Sequence, residues 1–257
     1  MKLAVISLSD AGARLAARLA AALDGSELFL HADVGEMPQA RRFHRILDLT
    51  RELFARCEGL VYIAPAGVVV RAVAPVIEHK TRDPAVVVVD VLGRWAVSLL
   101  GGHEAGANRL AFDVANVLGA EPVISTTTEA VKDLIVGVGC RCGTPPEAIL
   151  AAVRDALAAA GGTLDSVRLL ASADLKAEEP GLLEAARQLG LPLRLIPSQE
   201  IRETILAFER SEFVDEKVHL PAVAEPAALL AGRRTRLILP KQILHGVTVA
   251  IARESST

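Results

Sequence analysis

The chain has 257 residues, a net charge of −3 and a pI near 6.1, so no global basic field is available to hold a phosphate backbone. Apolar residues make up 51% and aromatic residues only 3%, which favours aliphatic strands buried under helices and excludes the exposed rings that single-stranded nucleic acid stacks on. The opening MKLAVISLSDAG lacks the layout of a secretion signal, the longest apolar run (59–77) is broken by Pro65, Arg71 and Pro75, and the three cysteines are sparse and odd in number, so a cytoplasmic, non-membrane protein is expected.

The first half alternates strand and helix patterns. Lys2–Leu8 predicts a strand and Ala11–Leu23 a helix behind a Ser9-Asp10 cap. A short strand at Glu27–His31 precedes a helix over Arg45–Arg56, whose Ile46, Leu49, Leu53 and Phe54 form one stripe. Gly59–Ile63 predicts a strand and Gly67–Ile77 a helix. The most informative stretch follows, KTRDPAVVVVDVLGRWAVSLLGGHEAGAN: a charged loop, an apolar strand at Ala85–Val89, a turn over Asp90–Arg94, a strand at Trp95–Leu100, and the bend Gly101-Gly102-His103-Glu104. A helix over Gly106–Leu118 and a short strand at Pro122–Ser125 close this half.

The second half begins near Leu134, beyond a boundary placed at 126–133. Ile135–Val138 predicts a strand that runs into Gly139-Cys140-Arg141-Cys142-Gly143-Thr144, then a helix to Ala160 with Thr144 as cap and Pro145 in its first turn. Strands follow at Val167–Ala171, Leu193–Ile196, Arg236–Leu239 and Val247–Ala252, with helices at Gly181–Leu189 and Ala222–Leu230 and a helix start at Ser198–Glu203. The alternation predicts an α/β protein of two closely packed three-layer domains, 1–130 and 134–257, each with a mostly parallel sheet.

Candidate sites come from polar groups at strand ends. In the Gly101–Glu104 bend, His103 or Glu104 is read as a proton-transfer group, because open α/β sheets place ligands where strands empty into Gly-rich loops before helices. The alternative is a turn whose glycines take positive φ and whose polar groups are solvated. No second His lies four residues on, so the zinc-protease spacing fails. Asn108 either binds a ligand carbonyl or projects into water. In His79-Lys80-Thr81-Arg82-Asp83, Lys80 and Arg82 clamp ligand carboxylates or form a solvated charge run. Gly137, Gly139 and Gly143 frame a turn whose amides suit an anion, with Arg141 as a contact, but their spacing is not the dinucleotide fingerprint. Cys140 and Cys142 fall short of a four-ligand metal site. Lys176, Glu178 and Glu179 read as a helix-start cluster or a ligand contact, and Glu225, in apolar surroundings, needs a partner for which Lys241 is the candidate.

These motifs together resemble the CbiG family, the cobalt-precorrin-5A hydrolases of anaerobic cobalamin biosynthesis. The first half is similar to the family's amino-terminal domain through KTRDPAVVVVDVLGRWAVSLLGGHEAGAN and LGAEPVISTTTEA. The second is similar to its carboxy-terminal domain through VGVGCRCGTPPEAI, LASADLKAEEPGLLEAARQLGLPL, VAEPAALL and LPKQILHGVTVAIAR. The family commonly carries a middle segment where STTTEAVKDLIVGVGC here joins the two halves, and its loop usually reads Leu-Gly where this chain has Glu104-Ala105; His103, Gly106 and Asn108 match.

The resemblance implies a cobalt-bound tetrapyrrole substrate, cobalt-precorrin-5A, whose ring A acetate is closed as a δ-lactone onto a methylated meso carbon. Water opens the lactone, and the carbon leaves with its methyl as acetaldehyde to give cobalt-precorrin-5B. His103 is then the expected base with Glu104 as its orienter or a second base. Gly101 and Gly102 supply amides to the oxyanion, and Lys80, Arg82, Asn108, Arg141, Lys176, Glu225 and Lys241 are the expected substrate contacts. The resemblance implies no cofactor or metal site of the protein's own, since cobalt arrives with the substrate, and the expected partners are the tetrapyrrole and other cobalamin-pathway enzymes. A non-catalytic tetrapyrrole carrier is the alternative, because the carboxy-terminal domain alone resembles CobE of the aerobic pathway.

Overall fold

A computed structural model describes residues 1–204 and 222–255. The chain divides into two compact units, residues 1–126 and 127–257. In the first unit, β1 (Leu3–Ser7), β2 (Ser26–His31), β3 (Arg41–Phe43), β4 (Gly59–Ile63), β5 (Ala85–Val89), β6 (Trp95–Leu100) and β7 (Glu121–Val123) form one sheet in the order β3-β2-β1-β4-β5-β6-β7. Every strand pair is parallel except β5–β6. The central strands β1, β4 and β5 are buried on both faces, which is why they read as unbroken aliphatic runs.

Helices α1 (Asp10–Ala22) and α4 (Ala107–Leu118) cover one face, burying Ala16, Leu19, Leu110 and Val114 against Val5, Val61 and Val87. Helices α2 (Ile46–Phe54) and α3 (Ala66–Val73) cover the other, with Leu53, Val69 and Val73 on Ile6, Tyr62 and Val88. Ser9 caps α1 as expected, its side chain accepting from the Gly12 amide at 3.3 Å.

The second unit opens with α5 (Thr127–Ala130). It holds a sheet of β8 (Leu134–Gly139), β9 (Val167–Ala173), β10 (Leu193–Ile196), β11 (Arg236–Leu244) and β12 (Val247–Arg253), in the order β10-β9-β8-β12-β11. The strands β8, β9 and β10 are mutually parallel, and β12 runs antiparallel to β8 and to β11, so β12 alone reverses direction. Helices α6 (Pro146–Ala159) and α7 (Pro180–Leu189) pack on one face over Val136, Leu170 and Val249. The helix α9 (Ala224–Leu230) packs on the other and meets α8 (Ser198–Glu203).

Three local readings change. The strand β3 leaves no signal in the sequence, because Arg41-Arg42-Phe43 is too short and too charged to alternate. The strand β11 runs on past Pro240, where the sequence reading stopped it. As an edge strand with register shifts at Leu239 and Gln242, it tolerates a residue without an N–H. Thr144 does not cap α6: Pro145 holds that position, and the Thr144 hydroxyl instead donates to the Arg141 carbonyl at 2.8 Å.

Candidate functional site

The direction of β6 decides where the Gly-rich bend lies. The registers Val86↔Leu100 and Val89↔Ala96 show β6 returning beside β5, so its end lies at the edge where β5 begins. The bend is therefore not at the edge where the parallel strands end, as the sequence reading placed it, but beside the charged loop that precedes β5. The connection between the two strands held the signal: Asp90–Arg94 is far too short for a parallel crossover, which needs about a dozen residues.

Close packing shapes the bend. Gly101 adopts φ +71°, and a Cβ there would stand 3.1 Å from the Pro84 carbonyl oxygen and 2.7 Å from the Ala105 Cβ. The Gly101 carbonyl accepts from the amides of Ala105 and Ala107, both at 3.1 Å, and the Gly102 carbonyl accepts from the Asn108 amide at 3.0 Å, so the bend is locked onto the first turn of α4. His103 and Glu104 ride on its exposed crest. Lys80 Nζ reaches Glu104 Oε1 at 3.1 Å, joining the two sequence motifs. The Glu104 carboxyl is held below its ordinary range, first by its own backbone N–H and then by Lys80.

Asn108 is committed within the fold. Its Oδ1 accepts from Ser98 Oγ at 2.9 Å and its Nδ2 donates to Thr126 Oγ1 at 3.0 Å, so its amide ties β6, α4 and the segment after β7 together. Ser98 and Thr126, which sequence reasoning passed over, are polar positions inside WAVSLL and STTTEA. Asp83, which the sequence shows only as the end of a charged run, is just 5% exposed. Its Oδ1 accepts from the amides of Glu78 and His79 at 3.0 and 3.2 Å, and it anchors the loop that presents Lys80 and the exposed Arg82.

In the second unit the loop 139–144 leaves β8 at the edge where β8, β9 and β10 all end, the position at which open sheets take ligands. Glycines admit backbone on both sides of it. A Cβ on Gly137 would stand 1.9 Å from the Ala224 carbonyl oxygen, and one on Gly181 1.9 Å from that of Thr144. Glu179, 6% exposed, accepts from the Gly143 amide at 2.8 Å and lies 3.6 Å from Lys176 Nζ. Lys176 Nζ is also 3.5 Å from Cys142 Sγ. Burial pushes the Cys140 thiol up, with Lys176 acting against that shift. Arg141 is exposed on the loop. Glu225, 2% exposed on α9, does find Lys241, but through the Lys241 backbone amide at 2.9 Å.

The structure thus gathers Lys80, Gly101, Gly102, His103, Glu104 and Asn108 at one edge of the first sheet. It places Arg141 and Lys176 on neighbouring loops of the second unit, and Glu225 with Lys241 on α9 and β11. Two open cavities, of about 440 Å³ around Arg41–Glu52 and about 670 Å³ around Lys132 and Arg233, are not lined by His103 or Glu104. Among the described residues no cluster of three His, Cys, Asp or Glu side chains is placed to hold a metal ion, and no helix is long and apolar enough to cross a membrane.

Comparison with known proteins matches both halves. The family model described as Cobalamin synthesis G N-terminal covers residues 48–129, and that described as Cobalamin synthesis G C-terminus covers residues 134–252. A cobalt-precorrin-5A hydrolase of Salmonella typhimurium is 37% identical over 136 residues, 49% of this chain and 36% of that protein, so the matched part spans little more than a third of that relative's length. A cobalt-precorrin-5A hydrolase of Priestia megaterium is 25% identical over 79% of this chain and 80% of its own. Protein CobE of a Sinorhizobium species is 38% identical over 49% of this chain and 83% of its own.

Proposed function

Because this chain belongs to the CbiG family, we propose that it acts in cobalamin biosynthesis as a cobalt-precorrin-5A hydrolase. The observation that carries this reading is the presence of both family domains, in order, in one chain. The similarity to the Priestia megaterium hydrolase, which runs through four-fifths of either protein, supports it.

The proposed chemistry uses the bend on β6. Water adds to the lactone carbonyl as the His103 imidazole takes its proton, and the amides of Gly101 and Gly102 donate to the oxyanion. Collapse expels the ring oxygen, which is protonated to a hydroxyl, and frees the acetate as a carboxylate. Removal of the hydroxyl proton then makes the C=O bond of acetaldehyde. The bond from that carbon to the ring breaks, and its electron pair passes into the conjugated macrocycle. Glu104, paired to Lys80 and held below the usual carboxylate range, is ionised at neutral pH and orients the imidazole or takes the second proton. Lys80 and Arg82 face the substrate's peripheral carboxylates from a loop anchored by Asp83.

Incubation with cobalt-precorrin-5A and enzymatic trapping of acetaldehyde tests the reading. His103→Ala should lower the rate by about 10²–10⁴-fold, the usual worth of a general base. An unchanged rate removes His103 from the scheme, and corrinoid binding by the wild-type chain without any aldehyde makes it a carrier.

A further inference from the structure

The second unit carries a cavity that the proposed reaction does not use. It has a volume of about 670 Å³ and opens where β8 begins, between the segment 130–133, the turn at Arg233-Arg234 and the chain leaving β12 at Glu254. Its carboxylates are already neutralised. Asp133 pairs with Arg253 at 3.1 Å, Glu254 with Arg168 at 2.6 Å, and Glu129, beside the cavity, with Lys132 at 2.9 Å. The exposed side chains of Arg233 and Arg234 have no carboxylate among the described residues. Two positive charges are thus left over on a chain whose net charge is −3.

The turn that presents them is held from several sides. Gly232 fits where a Cβ would stand 2.4 Å from Ile135 Cδ1. The Arg233 amide donates to Glu254 Oε1 at 2.7 Å, and the Thr235 hydroxyl donates to the Leu229 carbonyl at 2.6 Å. Arg234 sits at φ +52°, a left-handed conformation that costs a non-glycine residue energy and persists only where the surroundings enforce it. These contacts fix the backbone of the turn, and the two guanidinium groups project from it, exposed.

We propose that this cavity is an anion site that receives a peripheral carboxylate arm of a cobalt corrinoid, with Arg233 and Arg234 as its bidentate donors. The assignment of the ligand rests on the cobalamin reading above. Guanidinium groups match carboxylate geometry and stay charged at every physiological pH.

Calorimetric titration of the full chain with cobyrinic acid, whose arms are carboxylates, and with cobinamide, whose arms are amides, tests this. Arg233→Gln and Arg234→Gln should each weaken cobyrinic acid binding by about tenfold, the worth of a lost charge-assisted hydrogen bond. The double variant should lose more and should keep the wild-type Tm, because both side chains are exposed. Cobinamide should bind wild type and double variant alike. Equal Kd values for cobyrinic acid in wild type and double variant overturn the site, as does inorganic phosphate binding there without competing with cobyrinic acid. Acetaldehyde release separates the two readings. A wild-type chain that releases aldehyde, with arginine-independent cobyrinic acid binding, sinks the cavity assignment alone. One that neither binds cobyrinic acid nor releases aldehyde sinks both.

Discussion

Glu179 accepts a 2.8 Å hydrogen bond from the backbone amide of Gly143, tying the loop after β8 to the loop after β9. The carboxylate is almost wholly buried, and its other oxygen lies 3.6 Å from Lys176 Nζ. One side chain therefore sets the spacing of two loops that carry Arg141, Cys142 and Lys176. Glu179→Ala removes the charged acceptor of the Gly143 amide and should cost about 1.5–3 kcal/mol in urea unfolding, with Glu179→Gln, which keeps an acceptor, costing less. Equal stability of the alanine variant and wild type would show the tie to be idle.

The glycines of the second unit should separate into two classes. Gly137→Ala drives a Cβ to within 1.9 Å of a backbone oxygen of α9, so β8 and α9 must part, at about 3 kcal/mol or more. Gly143→Ala meets nothing within 4 Å and pays only for its φ of +75°, about 1 kcal/mol. Comparison of the two Tm values checks the order, and equal losses would contradict the close approach.

Tyr62 lies fully buried on β4, and its hydroxyl is 2.9 Å from Thr50 Oγ1. Burial pushes the phenol up to about 12 from its ordinary 10. The folded chain therefore holds this proton after the unfolded chain has released it. Its contribution is complete below pH 10 and is lost as pH rises from 10 through about 12. The loss should be about 2–3 kcal/mol, seen as an alkaline fall in stability that is absent from Tyr62→Phe.

Lys80 and Glu104 join the two motifs of the first unit at 3.1 Å. Lys80→Ala should raise the Glu104 carboxyl toward its ordinary range, as followed by NMR titration, because a hydrogen bond and a nearby positive charge are lost together. The backbone N–H of Glu104 remains, so the shift should be partial. If Glu104 is a base in turnover, the acidic limb of the rate profile moves up in the same variant. A limb that stays in place excludes Glu104 from that role.

Much of the fold was legible because burial leaves a periodic trace. Ala85–Val89 and Leu193–Ile196 were read to the residue, since strands covered by helices must be aliphatic. The Ser9 cap and the helix start at Ser198 were read from local chemistry. Lys80, His103 and Glu104 stand out in the sequence by their place in one motif, and the fold brings that motif's two loops together. Asp83, Ser98 and Thr126 escaped notice because their work is hydrogen bonding to neighbours, which leaves no periodic trace.

By itself the sequence determined which segments become strands and helices, because side-chain size, branching and polarity act over a few residues. It also determined the family, through motifs that span both halves. Only the tertiary structure decided on which edge each motif sits. Strand direction leaves the hydrophobic pattern unchanged, so a reversal such as that of β6 alters no residue type while it carries His103 from one end of the sheet to the other. The charge left over at Arg233 and Arg234 was likewise a tertiary outcome, because the carboxylates of the cavity and the arginines that neutralise them come from distant parts of the chain.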